Sequence, residues 1–211
     1  MDTSNKPLDD LREIRNLMER STRFLSLSGL SGISAGCFAL TGAAIAFFLL
    51  GYDQRYFEPE IYFGSGIVHS GNFIFYLFID GAMVLTGALV FSLYFTNRHA
   101  KKKGLPLWDN TTRRMLMALA IPLISGGILS LLLLVYHLVF LIAGVTLIFY
   151  GLSLMAASQF TLSELKYLGI AEIILGLFAV AIPGYGLIFW ALGFGLLHII
   201  YGFRMYFKYE R

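Results

Sequence analysis

Long apolar runs separated by short polar stretches dominate the chain. About 20 apolar residues in a helix are enough to cross a hydrocarbon core roughly 30 Å thick. The stretch from Met115 to Ser163 contains no Asp, Glu, Lys or Arg and can hold two such helices joined by a tight turn near residues 135–138. The pattern predicts six spans, near residues 24–51, 73–97, 115–135, 138–158, 165–183 and 186–206. The expected fold is an all-α integral membrane protein.

Composition and charge support this prediction and add an orientation. Of the 211 residues, 57% are hydrophobic and 14% are charged, whereas about a quarter of a soluble domain is charged. Short loops rich in Lys and Arg stay in the cytoplasm, and six spans with both termini cytoplasmic place every basic cluster on that side. The clusters are Lys6, Arg12, Arg15, Arg20 and Arg23; Arg98, Lys101, Lys102, Lys103, Arg113 and Arg114; Lys166; and Arg204, Lys208 and Arg211.

The basic residues 101–103 are interpreted as a topological anchor that touches anionic lipid. The lipid bilayer is therefore the expected partner of this cluster, and no nucleic acid is expected. The chain divides into a juxtamembrane segment 1–23, a transmembrane domain 24–207 and a cytoplasmic tail 208–211. Because the first apolar run begins only at Phe24, we expect it to be the first span rather than a cleaved signal peptide.

The N-terminal segment is predicted to form an amphipathic helix over residues 8–23. Leu8, Leu11, Ile14 and Met18 recur at helical spacing, with charged residues on the other face. Such a helix lies on a membrane surface. One interpretation is an anchor that orients the first span, and the other is a docking site for a cytoplasmic partner.

The predicted outer loop, residues 51–72, is acidic and aromatic. Glu58, Glu60, His69 and His137 should all face outside, where imidazole side chains could sense acid because they titrate between pH 5 and 8. The alternative is that they are ordinary solvated side chains. Their spacing supports no metal site. The only cysteine, Cys37, excludes an intrachain disulfide and a thiolate cluster, and no cofactor is expected.

Two octapeptides read alike, GVTLIFYG at 144–151 and GLLHIIYG at 195–202, and the stretch 81–87 is a looser echo. Both octapeptides fall at matching places in even-numbered spans. This indicates helical-hairpin repeats, which in transporters often flank the binding site. The alternative is chance similarity among apolar helices.

Small residues in the first span, Ser28, Gly32 and Gly36, recur every four positions. In lipid, small residues allow close approach of helices, so this face should pack against another helix. The sequence GLSG around Ser31 also resembles the serine motif of rhomboid intramembrane proteases, and His198 lies in the last predicted span. This resemblance implies a Ser31–His198 dyad, in which a neutral imidazole activates the serine hydroxyl.

Three ionisable residues lie inside predicted spans: Asp80, Glu172 and His198. Asp80 follows Asn72 by eight residues, about 12 Å of helix, and Glu172 and His198 each lie about 9 Å from the cytoplasmic side. A tight turn at residues 183–186 makes the last two spans neighbours, so Glu172 and His198 could pair. Intramembrane ionisable groups often handle protons or ligands. The competing interpretation is a polar contact that only holds helices together.

The C-terminal third resembles the HdeD-like bacterial membrane proteins, whose hairpins place a proline between two glycine-rich helices. The residues that carry the likeness are Gly169, Gly176, Pro183, Gly193, Gly195 and Gly202. The resemblance covers residues 140–207 and implies the inner membrane, six spans and a role in acid stress. We therefore expect a non-enzymatic permease or stress-related module for protons or a small ligand. The alternatives are a membrane-embedded serine hydrolase that uses Ser31 and His198, and a scaffold that recruits a cytoplasmic partner through residues 8–23. A second copy of the chain, in a homo-oligomer, is a further candidate partner.

Overall fold

The computed structural model describes residues 27–50, 71–104, 108–136 and 138–211. Within these ranges the chain is about 90% helical and contains no strand. The amphipathic segment 8–23 and the outer-face candidates Glu58, Glu60, His69 and His137 lie outside the described residues. Predictions that concern them stay predictions.

Six long helices make up the described part of the chain. They are α1 (Gly29–Leu50), α2 (Gly71–Lys103), α3 (Asn110–Val135), α4 (Val139–Ala157), α5 (Glu164–Ala181) and α6 (Gly186–Tyr209). The middle of α6, Ala191–Leu197, is π-helical. Rare π-helical turns occur frequently at functional sites.

Five of these helices are long and apolar enough to cross a membrane. The exception is α5, which has 18 residues, or about 27 Å of helix. Its 18 residues include three charged ones, Glu164, Lys166 and Glu172, whereas each of the other five helices has an apolar stretch of this length with at most two. The structure therefore shows an all-helical fold in the described ranges, with five helices that are long and apolar enough to span a membrane.

The helices α1, α4, α5 and α6 form the centre of the molecule. Among the described helices, α1 packs on α6, α4 packs on α5, and α6 also contacts α4 and α5. The two remaining helices flank this centre, with α2 against α1 and α3 against α4. The outer faces of α2 and α3 carry many exposed apolar side chains, including Phe78, Leu93, Ile121 and Ile128. In a bilayer these faces meet lipid tails, which are as apolar as they are.

The central helices share an eight-residue motif, Gly-x-x-x-Ile-x-x-Gly. It occurs at 29–36 in α1, 144–151 in α4, 169–176 in α5 and 195–202 in α6. All eight glycines of the motif are buried. The two similar octapeptides found in the sequence are thus two of four occurrences, one in each central helix.

The motif packs in reciprocal pairs. A Cβ added to Gly151 would lie 2.5 Å from the carbonyl oxygen of Gly169, and one added to Gly176 would lie 2.8 Å from that of Gly144. The isoleucine of each helix fills the space beside a glycine of its partner, Ile173 against Gly151 being one example. The same packing joins α1 to α6. Ile33 on α1 contacts Gly202 on α6, and in return Ile199 on α6 contacts Gly36 on α1. The predicted packing face of α1 is therefore the face that meets α6.

The last residues of the chain connect several helix ends. The predicted tail begins at Lys208, but in the structure Lys208 and Tyr209 are the final residues of α6 and both contact the carboxylate of Glu164 on α5. The Glu210 carboxylate accepts a hydrogen bond from the backbone N–H of Gly29 and lies 3.5 Å from His99 Nδ1. These contacts tie the segment to the helical bundle.

Candidate functional site

The structure brings two of the three intramembrane candidates together. Glu172 on α5 and His198 on α6 lie with Oε1 and Nδ1 3.4 Å apart, and both side chains are buried. These residues occupy the same place, the fourth position, in the eight-residue motifs of their helices. The fourth position of the α4 motif, Leu147, is fully buried as well and packs beside them at Gly193.

Asp80 is separate from this pair. It is buried and faces α1, where a Cβ on Gly42 would lie 3.4 Å from its Oδ2. The backbone of His198 lies beside Gly32, ten residues earlier on α1. Ten residues of helix span about 15 Å, so Asp80 does not share one site with Glu172 and His198.

Both ring nitrogens of His198 have partners. Nδ1 lies 3.0 Å from the carbonyl oxygen of Gly193, and Nε2 lies 2.8 Å from the hydroxyl of Tyr150 on α4. A carbonyl oxygen can only accept, so Nδ1 carries a proton and donates it to Gly193. In the neutral imidazole Nε2 is then an acceptor, and the Tyr150 hydroxyl donates to it. Hydrogen bonds from α4 and from within α6 thus fix the position and tautomer of this ring.

The π-helical segment of α6 makes room for the carboxylate. Gly193 lies within it, and a Cβ at this position would collide with Glu172 Oε2 and with the side chain of Leu147. Aromatic rings line the same helix face at every fourth residue, from Trp190 through Phe194 to His198, and ring centroids are 5.0 and 6.0 Å apart. The side chain of Tyr150 packs on the last two rings.

Glu172 has an unusual environment. Its side chain is fully buried, and neither carboxylate oxygen has a hydrogen-bond partner among the described residues. An ionised carboxylate without partners is very costly to bury, so such a group is protonated or meets a cation. The chemistry that this arrangement supports is the binding and release of a positively charged species.

An apolar cluster separates this site from the polar contacts at the end of the bundle. Leu165 and Leu168 on α5, Leu154 on α4 and Met205 on α6 are buried together. They lie between Glu172 and the Glu164–Lys208 ion pair, in which Nζ and Oε1 are 2.5 Å apart. The two polar groups of α5 are therefore distinct sites.

The structure does not form a Ser31–His198 dyad. The Ser31 hydroxyl donates to the carbonyl of Ser28, and its own carbonyl accepts a hydrogen bond from Ser92 on α2. Both nitrogens of His198 are engaged by Tyr150 and Gly193. The arrangement expected from the rhomboid resemblance is therefore absent from this part of the chain, because helix packing uses the small residues around Ser31.

Sequence reasoning missed Tyr150 and Gly193. Tyr150 is one of twelve tyrosines, and its partner is 48 residues away. The one available signal was its place in the repeated octapeptide 144–151, where an aromatic residue precedes the last glycine, as it does in 195–202.

No group of three or more His, Cys, Asp or Glu side chains in the described ranges could hold a metal ion. Cys37 is exposed on α1 and unpaired with any other cysteine. Comparison of the chain with protein-family models, curated proteins and solved structures finds no match. The site geometry is consequently the basis for any statement about function.

Proposed function

We propose that this chain is a non-enzymatic membrane protein that binds and releases protons or a small cationic ligand at Glu172 and His198. In this proposal it acts as a small permease or a stress-related module. All six helices span the cell membrane, α5 included, and both termini are cytoplasmic. The basic clusters at residues 98–103, 113–114 and 204–211 support this orientation, because the hairpins place them at one end of the bundle.

The observation that carries the proposal is the fully buried carboxylate of Glu172, which has no hydrogen-bond partner among the described side chains and backbone groups. A purely structural polar contact would satisfy its hydrogen bonds, because leaving them unmade costs stability. Glu172 gains only the charge contact with His198. A buried carboxylate with incomplete hydrogen bonds is expected in a site that binds and releases a proton or a cation.

The hairpin between α5 and α6 supports the proposed HdeD-like relationship. Its turn contains Pro183 and Gly184, and Gly184 has a φ of +93°, which favours glycine. Acid-stress function is part of the same proposal. A serine hydrolase is not proposed, because the Ser31 hydroxyl and His198 bond to other groups.

The test is proton flux into vesicles that contain the purified full-length protein and an internal pH-sensitive dye. After an acid pulse, wild-type protein should acidify the interior faster than empty vesicles do. Glu172→Gln keeps the size of the side chain but cannot exchange this proton, so its flux should fall to the leak of empty vesicles.

Glu164→Gln is the matched control, because it changes a carboxylate on the same helix that already has Lys208 and Tyr209 as partners. Its flux should equal that of the wild type. Equal flux in wild type, Glu172→Gln and empty vesicles would contradict proton transport at this site.

A further inference from the structure

We infer that the species bound between Glu172, His198 and Gly193 is a single proton held by the Glu172 carboxyl group, and that Tyr150 is the positioning residue that keeps it there. This inference rests on the proposed function and narrows its ligand from any small cation to H⁺.

The oxygen atoms that the described residues supply at the site are too few to satisfy Ca²⁺ or Mg²⁺. Ca²⁺ requires six to eight oxygen ligands and Mg²⁺ requires a near-ideal octahedron. Four oxygens of the described residues lie at the cluster: two of Glu172, the carbonyl of Gly193 and the hydroxyl of Tyr150. The Gly193 carbonyl already accepts from Nδ1, and the Tyr150 hydroxyl points its hydrogen at Nε2. Of these four, only the two Glu172 oxygens make no hydrogen bond, and binding a proton needs one oxygen.

The hydrogen bonds of His198 decide which residue holds the proton. Its Nδ1 already carries a hydrogen, directed at Gly193, and the lone pair of Nε2 accepts from Tyr150. Protonating the ring would require the Tyr150 hydroxyl to turn away. Proton uptake therefore forms one O–H bond on Glu172 and release breaks it, while the bonds of His198 and Tyr150 stay unchanged.

No other charged side chain of the described residues is part of the cluster. Glu172 comes from α5, His198 from α6 and Tyr150 from α4, and the α1 residue beside His198 is Gly32. The nearest charged residues along α5 and α6 are Lys166 and Arg204, each six residues from the site, and both side chains are exposed. The buried Glu164 and its partner Lys208 lie farther away, beyond the apolar cluster. A titration of this site consequently reports on these three residues.

The experiment is an infrared titration of the full-length protein in lipid vesicles. A protonated carboxylic acid has a C=O stretching band that its carboxylate lacks. Acidification should produce a band that is absent from Glu172→Gln and retained in Glu164→Gln. Its midpoint should be the same in K⁺, Na⁺ and Ca²⁺ solutions of equal ionic strength, a comparison that needs only wild-type protein.

Tyr150→Phe tests the positioning role. Without the hydroxyl, Nε2 is free to take up the proton, so the midpoint of the Glu172 band should move to a proton concentration about tenfold higher, the value of one ordinary hydrogen bond. A tyrosine that only fills space would leave the midpoint unchanged, because phenylalanine has the same ring, and that result would remove Tyr150 from the inference.

Two results would overturn the assignment to H⁺. A midpoint that depends on Na⁺ or Ca²⁺ would show a cation site, in which case the proposed function stands and this inference fails. A Glu172 band that never changes with pH would show a permanent acid. Absence of vesicle flux with a normal infrared titration would instead count against transport alone.

Discussion

The carboxylates of Asp109 and Glu172 differ in the hydrogen bonds that they accept. Asp109 precedes α3 and accepts bonds from the backbone nitrogen and the hydroxyl of Thr112, each at 2.7 Å. These bonds hold the pKa of Asp109 below its ordinary value of 3.8, and the bond from the Thr112 backbone has the largest effect. Glu172 has no such donors. The Asp109 carboxylate is explained by its contribution to stability, whereas the Glu172 carboxylate is not.

Asp109→Ala should lower the free energy of unfolding at neutral pH by about 1 kcal/mol, the usual contribution of an N-cap. The contribution of the wild-type carboxylate is present above the ordinary pKa of 3.8. It is lost as the pH falls through the lower pKa of the folded state, because the native carboxylate is then protonated. Denaturant unfolding in detergent at neutral and strongly acidic pH measures the difference.

Asp109→Asn is the control for this prediction. Asparagine caps helices about as well as aspartate but carries no charge. It should be close to wild type at neutral pH and should lack the acid-dependent loss. An alanine variant as stable as wild type at neutral pH would contradict the capping role.

At the scale of helices, packing in this protein depends on glycine and isoleucine exchanged between partners. The antiparallel pairs α1–α6 and α4–α5 use the same Gly-x-x-x-Ile-x-x-Gly motif. Close backbone approach provides the van der Waals contact that drives helix association in lipid, where the hydrophobic effect between helices is absent. The fourth motif positions then converge, which places Glu172 and His198 in contact.

Gly151→Ala should destabilise the α4–α5 pair by about 1–3 kcal/mol, the usual cost of overpacking. The added methyl group would lie 2.5 Å from the Gly169 carbonyl oxygen and 2.7 Å from Ile173. Gly127→Ala on α3 is the matched control, because no described atom lies within 4 Å of its Cβ. That variant should be neutral or more stable, since alanine favours helix over glycine. Equal unfolding free energies for the two variants would contradict the packing account.

At the scale of the whole molecule, the question is whether α5 would cross a membrane together with the five helices that are long and apolar enough to do so. It packs against α4 and α6, both of which are apolar enough to span. Two of its three charged residues lie in its first turn, where Glu164 pairs with Lys208 and the exposed Lys166 can reach the headgroup region. Assembly into a homo-oligomer stays a prediction.

Cysteine labelling tests this topology. In a Cys37→Ser background, single cysteines replace Lys102, Lys166 or Ile182, all exposed in the structure. A membrane-impermeant maleimide added outside intact cells should label only the Ile182 variant. The Lys102 and Lys166 variants should react only after the cells are opened. Labelling of positions 166 and 182 from the same side would contradict a spanning α5.

Much of the fold could be predicted from the sequence, and less of the site. The runs of apolar residues located the helices to within a few residues, since hydrophobic length is a local property. The extension of α2 through Lys103, however, and that of α6 through Tyr209 were missed. Helices continue past the apolar run where polar partners stabilise their ends, as Lys103 does by donating to the Tyr209 carbonyl.

By itself, the sequence indicated a membrane environment, the helical class and the identity of the few ionisable residues that lie in apolar helices. These follow from composition along one segment at a time. The possible pairing of Glu172 with His198 also followed from the tight turn between their helices. Tertiary structure alone decided that His198 bonds to Tyr150 and not to Ser31, and that Asp80 lies elsewhere. The reason is geometric: these contacts depend on how each helix is rotated about its axis, and the reciprocal glycine–isoleucine packing sets that rotation.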